Sequence, residues 1–307
     1  MEMRRIGSLE VTVVGIGCNN FGGRVDQAGT TAVVDAALGA GINFFDTADI
    51  YGGTKSEEFL GKALGKRRAE VVIASKFGME VGPGKKGARP DYLRRALDDS
   101  LRRLGTDRID LYQQHQWDPE VPIAETLGAL NEAVQAGKVR EIGCSNFSVA
   151  QLREVHAAAV PGAARFVSVQ NEYSLLHREP EKEVLAECGR LKLAFIPFYP
   201  LAAGLLTGKY RKGRPAPEGS RLAGGRYASR MGDGTLDTVE SLRTFAAARG
   251  CSLLELAVTW LATRPAVASV IAGATKPEQA KANAAAVGAK FTTSELAEIG
   301  RIAAGEV

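Results

Sequence analysis

Short apolar segments alternate with amphipathic helical segments along the whole chain, and this alternation restricts the fold more than any other feature of the sequence. The segments that predict strands lie at residues 11–17, 42–46, 71–76, 109–115, 139–144, 166–170, 194–199 and 267–272. Strands that alternate with helices pair in parallel, because each helix returns the chain to the same edge of the sheet. We therefore expect an α/β fold with a parallel sheet.

The number of strand–helix units favours a closed barrel over an open sheet. Eight units fit a (β/α)₈ TIM barrel, which needs about 250 residues and accepts insertions, and the chain has 307 residues. A doubly wound open sheet shows the same local alternation and stays open as an alternative. No linker or shift in composition divides the sequence, so we expect residues 1–307 to form a single barrel domain.

Three additions to the barrel are expected. They are an N-terminal β-hairpin, a long Gly- and Arg-rich loop after strand seven at residues 208–235, and an added C-terminal helix at 292–304. Loops of that length in compact domains are usually functional or mobile.

The helical segments carry their own signals. Residues 91–104 place leucines on one face and oppositely charged residues four apart, such as Asp99 and Arg103, on the other. A Ser or Thr followed three residues later by Glu or Gln predicts a capping box at a helix start. This pattern occurs at Thr54, Ser148, Thr275 and Thr292.

Composition excludes several classes of protein. Hydrophobic residues make up 45% and charged residues 24%, which is typical of a globular chain rather than a collagen-like or disordered one. The net charge is +4 and the two signs are mixed, so we expect no nucleic-acid partner. No signal peptide and no apolar run of membrane-spanning length is evident, so we expect a cytoplasmic location and no membrane partner.

The four cysteines are far apart in sequence and include no CxxC pair. No histidine lies beside them at the spacing of zinc ligands. We expect reduced thiols and no metal site.

Polar or titratable residues end most of the predicted strands. The second, third and fourth strands end in Asp46, Lys76 and His115. The carboxyl ends of barrel strands meet at one rim, where barrel enzymes place their catalytic groups. Taken singly, each residue also fits a turn cap, a solvated strand end or a buried core position. Their joint placement at one rim favours a functional site.

Tyr51 follows Asp46 by five residues and can reach the same rim. A phenol has a pKa of about 10, and a nearby ammonium favours the phenolate and lowers that pKa. Lys76 supplies an ammonium, Asp46 keeps it charged, and His115 can donate an N–H to an oxygen that gains negative charge. Such a group suits protonation of a carbonyl oxygen while hydride arrives at its carbon. Taken alone, Tyr51 fits an aromatic loop anchor better than a functional role.

Several segments resemble the aldo-keto reductase superfamily and occur in the order of that family. They are FFDTADIYG at 44–52, ASK at 74–76, DLYQQH at 110–115 and GCSNF at 143–147. The resemblance implies a (β/α)₈ barrel that binds NADPH in extended form without a Rossmann domain and reduces aldehydes or ketones by hydride transfer. It implies that Tyr51 is the general acid, that Lys76 and Asp46 tune it, and that His115 orients the carbonyl.

The resemblance also implies contacts with the cofactor. Ser145, Asn146 and Gln170 match residues that bind the nicotinamide carboxamide, and Tyr199 matches the aromatic residue on which that ring stacks; core packing is the alternative for Tyr199. Further contacts are implied for Gly17 and Cys18 in the first loop and for Pro200, Leu201, Gly204, Leu206, Thr207 and Lys209 after strand seven. Gly15-x-Gly17 is not a Rossmann fingerprint, because its spacing departs from GxGxxG.

The adenosine end departs from a common family pattern, in which a Lys-Ser pair and a later Arg hold the 2′-phosphate. Gly273 and Gln279 stand where that Lys and Arg would be. A helix that starts at Thr275, with Lys276 in its first turn, still favours an anion, whereas Glu278 opposes one. The implied contacts are Gly273, Thr275, Lys276, Gln279 and Asn283. We expect NADPH as cofactor, with NADH left open.

The expected function is NAD(P)H-dependent reduction of small carbonyl compounds by a monomer or weak oligomer. Two other classes stay open. One is a nicotinamide-sensing binding subunit, because the family is also similar to the cytoplasmic β subunits of potassium channels. The other is an unrelated phosphate-binding barrel lyase or isomerase, which explains the polar rim but not the implied nicotinamide contacts. Trp117, two residues past a strand end, is expected to wall the substrate pocket or to cover the core.

Overall fold

Eight parallel strands form a nearly closed barrel in the computed structural model, which describes residues 1–223 and 230–306. The strands are β1 (Met3–Ile6), β2 (Leu9–Thr12), β3 (Val14–Gly17), β4 (Phe44–Asp46), β5 (Val72–Phe77), β6 (Ile109–Gln114), β7 (Val139–Ser145), β8 (Phe166–Glu172), β9 (Ala194–Phe198) and β10 (Val270–Gly273). Their order is β10-β3-β4-β5-β6-β7-β8-β9. The Phe195 N–H donates to the carbonyl of Ala266, just before β10, at 2.7 Å. This bond brings the two outer strands together, so the barrel prediction is confirmed and the open-sheet alternative is wrong.

Helices follow the strands, and two further helices pack outside this alternation. The helices of the described chain are α1 (Gln27–Gly39), α2 (Lys55–Leu64), α3 (Pro90–Leu104), α4 (Ile123–Gln135), α5 (Val149–Ala158), α6 (Val184–Leu191), α7 (Asp233–Ala248), α8 (Leu253–Ala262), α9 (Pro277–Ala285) and α10 (Thr293–Ala304). The added C-terminal helix is α10, which packs against α7. The loop predicted at 208–235 ends earlier, because α7 already begins at Asp233, and its residues 224–229 lie outside the described residues.

The N-terminal hairpin covers the bottom of the barrel. β1 pairs with β2 in antiparallel register, with Ile6 opposite Leu9. Ile6, Leu9 and Val11 are buried against apolar residues inside the barrel, among them Phe44 and Leu111. This apolar plug fills the N-terminal end, so polar side chains inside the barrel are gathered at the C-terminal end.

Alternation along β5 and β6 separates two environments. Lys76 lies opposite Gln113 and Ser75 lies opposite Tyr112 in the parallel register. Successive side chains of a strand point to opposite faces of the sheet. Lys76 and Gln113 therefore point into the barrel, whereas Ser75 and Tyr112 face the surrounding helices.

Two of the predicted capping boxes are confirmed. The side chains of Ser148 and Thr292 each accept from the backbone N–H three residues later, and the partner Gln or Glu side chain returns the bond. A third box, Ser252 with Glu255 at the start of α8, has the same pattern in the sequence and was not predicted. These caps satisfy backbone N–H groups at the helix starts.

The caps predicted at Thr54 and Thr275 are wrong. Thr54 has a left-handed backbone (φ 77°) and makes no capping bond, because an N-cap side chain bonds to the helix typically from an extended backbone. α9 begins one residue later than expected, with Lys276 as its N-cap and Pro277 at the first helical position. Proline is favoured at that position because its φ is already helical and its missing N–H has no partner to lose.

Within the described residues, no single helix is long and apolar enough to cross a membrane. α7 and α8 pass a length and composition test only as a pair, and they are bent by 91° at the break between them.

Candidate active site

A cavity of about 940 Å³ opens at the carboxyl ends of the barrel strands, between the first loop, the loop after β9 and α9. The predicted site residues that line it are Gly17, Asp46, Tyr51, His115, Ser145, Asn146, Gln170, Tyr199, Pro200, Leu201, Gly204, Thr207, Lys209, Gly273, Thr275, Lys276, Gln279 and Asn283. The structure thus brings most of the predicted site into one cavity.

Lys76 lies beneath the cavity and is fully buried. Its ammonium donates to Asp46 Oδ1 at 2.5 Å, to the Thr47 carbonyl at 2.9 Å and to the Tyr51 hydroxyl at 3.4 Å. Three acceptors satisfy the three N–H groups of an ammonium. The lysine is therefore fixed in one position by bonds to β4 and to the turn that follows it.

Asp46 is held by neighbours on three other strands. Its Oδ2 accepts from Gln170 Nε2 at 2.8 Å and from Gln113 Nε2 at 3.3 Å, while its Oδ1 pairs with Lys76. Gln170 therefore contacts Asp46 directly, whereas the sequence resemblance assigned Gln170 only to the cofactor.

The pKa of Lys76 is raised above its ordinary value. Burial alone lowers it, but attraction to Asp46 and Tyr51, with the hydrogen bonds to both, outweighs burial. A buried lysine without such partners tends to lose its proton. Asp46 therefore keeps Lys76 charged, as the sequence predicted.

The pKa of Tyr51 is raised, not lowered. Burial has the largest effect and raises the pKa. The Lys76 ammonium lowers the pKa by less than burial raises it, and the Asp46 carboxylate raises it further. Our expectation that Lys76 brings this phenol below its ordinary pKa is wrong for the protein as described. The physical reason is that desolvation disfavours the phenolate before any substrate is present. Tyr51 is consequently a fully protonated phenol at neutral pH.

His115 lies beside Tyr51, with ring centroids 5.8 Å apart in an edge-to-face arrangement. Burial, and then the nearby Lys76 ammonium, lower its pKa well below the ordinary value. The imidazole is therefore neutral at pH 7. Its Nδ1 is buried and has no hydrogen-bond partner among the described residues.

Ser145 and Asn146 are fixed at the end of β7. The Ser145 hydroxyl donates to the Gln170 carbonyl at 2.8 Å, and Asn146 Nδ2 donates to the His115 carbonyl at 3.0 Å. Asn146 and Tyr199 have positive φ angles of 61° and 51°. Such angles are uncommon outside glycine and cluster at functional sites.

The opposite end of the cavity is formed by α9 and the loop after β9. Gln279 Oε1 accepts from the Thr275 N–H at 2.7 Å and from the Thr275 hydroxyl at 3.1 Å. Gln279, which stands where the family pattern has an arginine, thus already accepts the hydrogen bond of the Thr275 N–H just before α9. Lys276 and Lys209 are exposed at this end.

Besides Lys76, three predicted positions do not line the cavity. Cys18 is fully buried, with its Sγ directed at the Ile16 carbonyl, and Leu206 is fully buried in the core. Trp117 packs edge-to-face on Phe147 at 5.4 Å, so it covers the core and does not wall the pocket. The Cys18 and Leu206 side chains therefore face the core, and contact of these two residues with a cofactor stays a prediction.

Sequence reasoning missed a pair of contacts across the cavity. Arg24 donates to the Gly219 carbonyl at 2.6 Å, and Arg221 donates to Asn20 Oδ1 at 2.8 Å. These bonds join the first loop to the loop after β9, and we call the two arginines the latch. The only sequence signal was the Arg-rich composition of the later loop.

A second missed contact is the ion pair of Arg230 with Glu172, at 2.7 Å. Both residues line the cavity, and the Arg230 guanidinium lies 5.8 Å from the centroid of the Tyr199 ring. β8 extends to Glu172, two residues beyond the predicted strand, and this extension brings the acid to the rim.

The cavity fits an extended dinucleotide. Its volume is near the upper end of the range of about 300–1,000 Å³ for small-molecule sites. Gly204 lines the cavity with a φ of 103°, a backbone conformation that side chains rarely adopt, and a Cβ there would contact the Lys209 and Tyr210 side chains at 3.4–3.5 Å. Exposed lysines at one end suit phosphates, and amide and hydroxyl groups at the other suit a carboxamide. No group of three or more metal-ligating side chains occurs among the described residues.

Comparison with known proteins gives a consistent result. The sequence profile of the aldo/keto reductase family matches residues 13–304. A probable voltage-gated potassium channel β subunit from Oryza sativa subsp. japonica is 36% identical over 91% of this chain and 89% of that protein. The aldo-keto reductase yakc from Schizosaccharomyces pombe, whose name carries NADP(+), is 33% identical over 96% of this chain and 89% of that protein.

Two solved structures are similar over nearly the whole chain. A glycerol dehydrogenase from Gluconobacter oxydans superposes with a TM-score of 0.86 at 28% identity and covers 99% of this chain and 96% of its own. An aldo-keto reductase from Bacillus halodurans, in its holo form, superposes with a TM-score of 0.80 at 34% identity over 98% and 96%.

Proposed function

Because this chain belongs to the aldo/keto reductase family, we propose that it reduces small aldehydes or ketones with NADPH, with Tyr51 as the proton donor. Membership of the family implies an oxidoreductase that uses a nicotinamide cofactor on carbonyl compounds. The choice of NADPH over NADH, the substrate range and the role of each residue are part of the proposal.

Tyr51 and His115 are the groups that meet the carbonyl oxygen in this proposal. The neutral His115 imidazole donates an N–H that orients the oxygen, and the Tyr51 hydroxyl gives up its proton to it. The Lys76 ammonium, 3.4 Å from the phenol oxygen, then stabilises the phenolate that remains. Asp46 keeps that ammonium charged and in place.

The cavity would hold the cofactor along its length, and the bound cofactor would supply the hydride for the carbonyl carbon. Ser145 and Asn146 offer polar groups for the carboxamide, and the ring of Tyr199 offers a stacking face. Lys209 and Lys276 lie where phosphates of an extended dinucleotide would need cations.

The raised pKa of Tyr51 supports the reductive direction. A general acid has to carry its proton before the reaction, and Tyr51 carries it at neutral pH. Oxidation of an alcohol would need the phenolate instead. We therefore expect the ratio of oxidation to reduction to rise with pH.

One observation carries the proposal: the phenol of Tyr51, the ammonium of Lys76 and the imidazole of His115 converge at the cavity. The test is a panel of aldehydes, ketones and alcohols with NADPH and NADH, followed by absorbance of the reduced nicotinamide. Turnover of a carbonyl with NADPH is expected. Binding of the cofactor without turnover of any carbonyl would contradict the proposal.

A nicotinamide-sensing subunit is the second candidate, and its support is the similarity to a probable potassium channel β subunit. Asp46, Tyr51 and His115 line the cavity and Lys76 lies beneath it, so all four residues of the proposed catalytic set are present, which favours an enzyme. A sensor would bind the reduced cofactor tightly and fail to turn over the panel. The same experiment therefore separates the two functions.

We also propose a cytoplasmic location and a monomer or weak oligomer. The four cysteines are free, and Cys18, Cys144 and Cys188 are buried. Free thiols are typical of reducing compartments. Fractionation of the cells and light scattering of the purified protein test these two statements.

A further inference from the structure

The turn between β4 and α2 carries Tyr51 at the cavity and a second carboxyl, Asp49, away from it. The Asp49 side chain is 1% exposed, and neither of its oxygens has a hydrogen-bond partner among the described residues. Its backbone N–H donates to the Lys76 carbonyl at 3.1 Å. Asp49 thus ties this turn to the strand that carries the ammonium, while the reaction proposed above does not use its carboxyl.

The charges that face Asp49 come from three elements. Glu57 on α2 is fully buried and accepts from Arg103 Nε on α3 at 2.7 Å and from the hydroxyl of Ser75 on β5. Lys76 on β5 also acts on Asp49, but its ammonium already pairs with Asp46. The Arg103 guanidinium therefore acts on both buried carboxyls, but its described hydrogen bonds go to Glu57 and Ser100 and not to Asp49.

Two phenols complete the surroundings of Asp49. Tyr92 on α3 and Tyr112 on β6 both feel its charge, and both have buried hydroxyls without a hydrogen-bond partner among the described residues. A charged Asp49 would add an uncompensated charge to a compartment with no free cation in the described chain. Such a charge costs far more than a neutral carboxyl, so the group keeps its proton.

The electrostatics agree with this geometry. Burial, and then repulsion from Glu57, raise the pKa of Asp49 from 3.8 to about 8. Glu57 accepts from side-chain donors on both oxygens, whereas Asp49 has no side-chain donor. The Ile50 N–H lowers the pKa of Asp49 by less than burial and Glu57 raise it.

We propose that Asp49 is a positioning residue whose buried carboxyl has to be neutral for the turn at residues 47–51 to keep its place, bonded through the Asp49 N–H to the Lys76 carbonyl, with the Tyr51 hydroxyl facing Lys76. Loss of its proton in alkaline solution places a second negative charge beside Glu57 and displaces the turn, so proton donation to the substrate slows. The kinetic part of this inference rests on the proposed function.

Other titrations around the turn lie elsewhere on the pH scale. The pKa values of Tyr51 and Lys76 are raised above their ordinary values near 10, and that of His115 is well below 6.5. Cys18 has a pKa well above 9.0. An activity loss centred near pH 8 is therefore assigned to Asp49 rather than to these groups.

The effect on stability has a definite sign. A carboxyl with a pKa of 3.8 in the unfolded chain and about 8 in the folded chain binds more protons when folded between these values. Stability therefore falls as pH rises from about 4 to about 8, and levels off above that range. An asparagine at this position contributes no such dependence.

The first test compares the wild type with Asp49→Asn, which keeps the size of the side chain and removes its titration. Asp107→Asn is the control, because Asp107 is 88% exposed. The measured quantities are the single-turnover rate of carbonyl reduction and the Tm, both from pH 6 to 9.5. The wild-type and control rates should fall about tenfold between pH 7 and pH 9, as expected for one group with a pKa near 8, and the Asp49→Asn rate should not. Equal losses in all three proteins would overturn the proposal.

The second test needs no enzymatic activity and no folded Asp49 variant. Infrared difference spectra of the wild type between pH 6 and pH 9.5 should show loss of a protonated carboxyl band with a midpoint near pH 8. Glu57→Gln removes the repelling charge and frees Arg103, so it should move this midpoint to lower pH. Absence of the band, or an unchanged midpoint in Glu57→Gln, overturns the inference. A protein that shows the band but reduces no carbonyl would instead contradict only the proposed function.

Discussion

The two ends of the cavity differ in how their residues are held in place. At the catalytic end, Asp46, Lys76 and Gln170 come from barrel strands, are buried, and are joined by direct hydrogen bonds. At the far end, Lys276 and Gln279 are exposed and belong to the loop before α9 and its first turn. The first end is fixed by the register of the sheet, and the second by short-range contacts that water can replace.

This difference predicts how each end responds to substitution. Removing one partner of a buried charge leaves the other without compensation, which costs several kcal/mol. Removing an exposed charge costs much less, because water solvates what remains. Substitutions at the catalytic end should therefore have large effects, and those at the far end small and selective ones.

Tyr51→Phe tests the catalytic end most directly. The ring is kept and only the transferable proton is lost, so we expect kcat to fall by about 10² to 10⁴. The Kd of NADPH, measured by fluorescence titration, should change little, because no cofactor contact is removed. Full activity in this variant would contradict the role of Tyr51 as proton donor.

Asp46→Asn tests the charge beneath the cavity. The amide cannot compensate the buried Lys76 ammonium, so we expect a loss of about 3 kcal/mol in the free energy of unfolding at pH 7. Chemical denaturation followed by circular dichroism measures it. Glu58→Gln, which removes half of an exposed pair with Lys62, is the matched control and should change stability little.

The difference in the free energy of unfolding between the wild type and Asp46→Asn should depend on pH in a definite direction. Because the wild-type pKa of Lys76 is raised above 10.5, its favourable pairing is fully present at neutral pH. The pairing is lost only as pH rises through that raised value. The stability difference should therefore narrow only in strongly alkaline solution, and a difference that disappears by pH 8 would contradict the pairing.

The latch joins the two loops that border the cavity, and substitutions in it should change cofactor binding by an intermediate amount. Arg24→Ala and Arg221→Ala each remove one charge-assisted hydrogen bond between the loops. For a bond worth about 1 kcal/mol at such a position, the dissociation rate of NADPH should rise about fivefold. Stopped-flow displacement measures this rate. If the latch acts as a unit, the double variant should dissociate no faster than either single one.

Lys276→Ala should give the smallest effect and the most selective one. An exposed ion pair between Lys276 and a phosphate contributes roughly 0.5 kcal/mol, so the Kd of NADPH should rise about two- to threefold. The Kd of NADH should not change. Gln279→Ala is the companion variant, because it frees the Thr275 N–H and should tighten NADPH binding. Equal changes in the Kd of NADPH and the Kd of NADH would show that Lys276 and Gln279 do not recognise the phosphate that distinguishes the two cofactors.

Much of the fold followed from local patterns. The eight strand segments and the C-terminal helix are present near their predicted positions, because apolar periodicity reflects burial on one side of each element. The cap at Thr275 failed since Pro277 sets where α9 begins. Arg103, expected to pair with Asp99 on the helix surface, instead binds the buried Glu57 on α2. Sequence spacing cannot show a partner that comes from another helix.

The candidate site was predicted less evenly. Asp46, Lys76 and His115 lie within one residue of the carboxyl ends of consecutive strands, and the barrel necessarily brings those ends together. The latch was missed because its partners are 195 and 201 residues apart in sequence. Trp117 had two equal interpretations, and only its packing on Phe147 decides between them.

The sequence by itself determined the order of strands and helices and which residue types reach the rim, because both follow from periodicity within short segments. Only the tertiary structure decided the protonation states. Tyr51 keeps its proton against the pull of Lys76, and Asp49 is neutral behind the barrel wall. The physical reason is that desolvation depends on everything packed around a group, and most of those neighbours are distant in the chain.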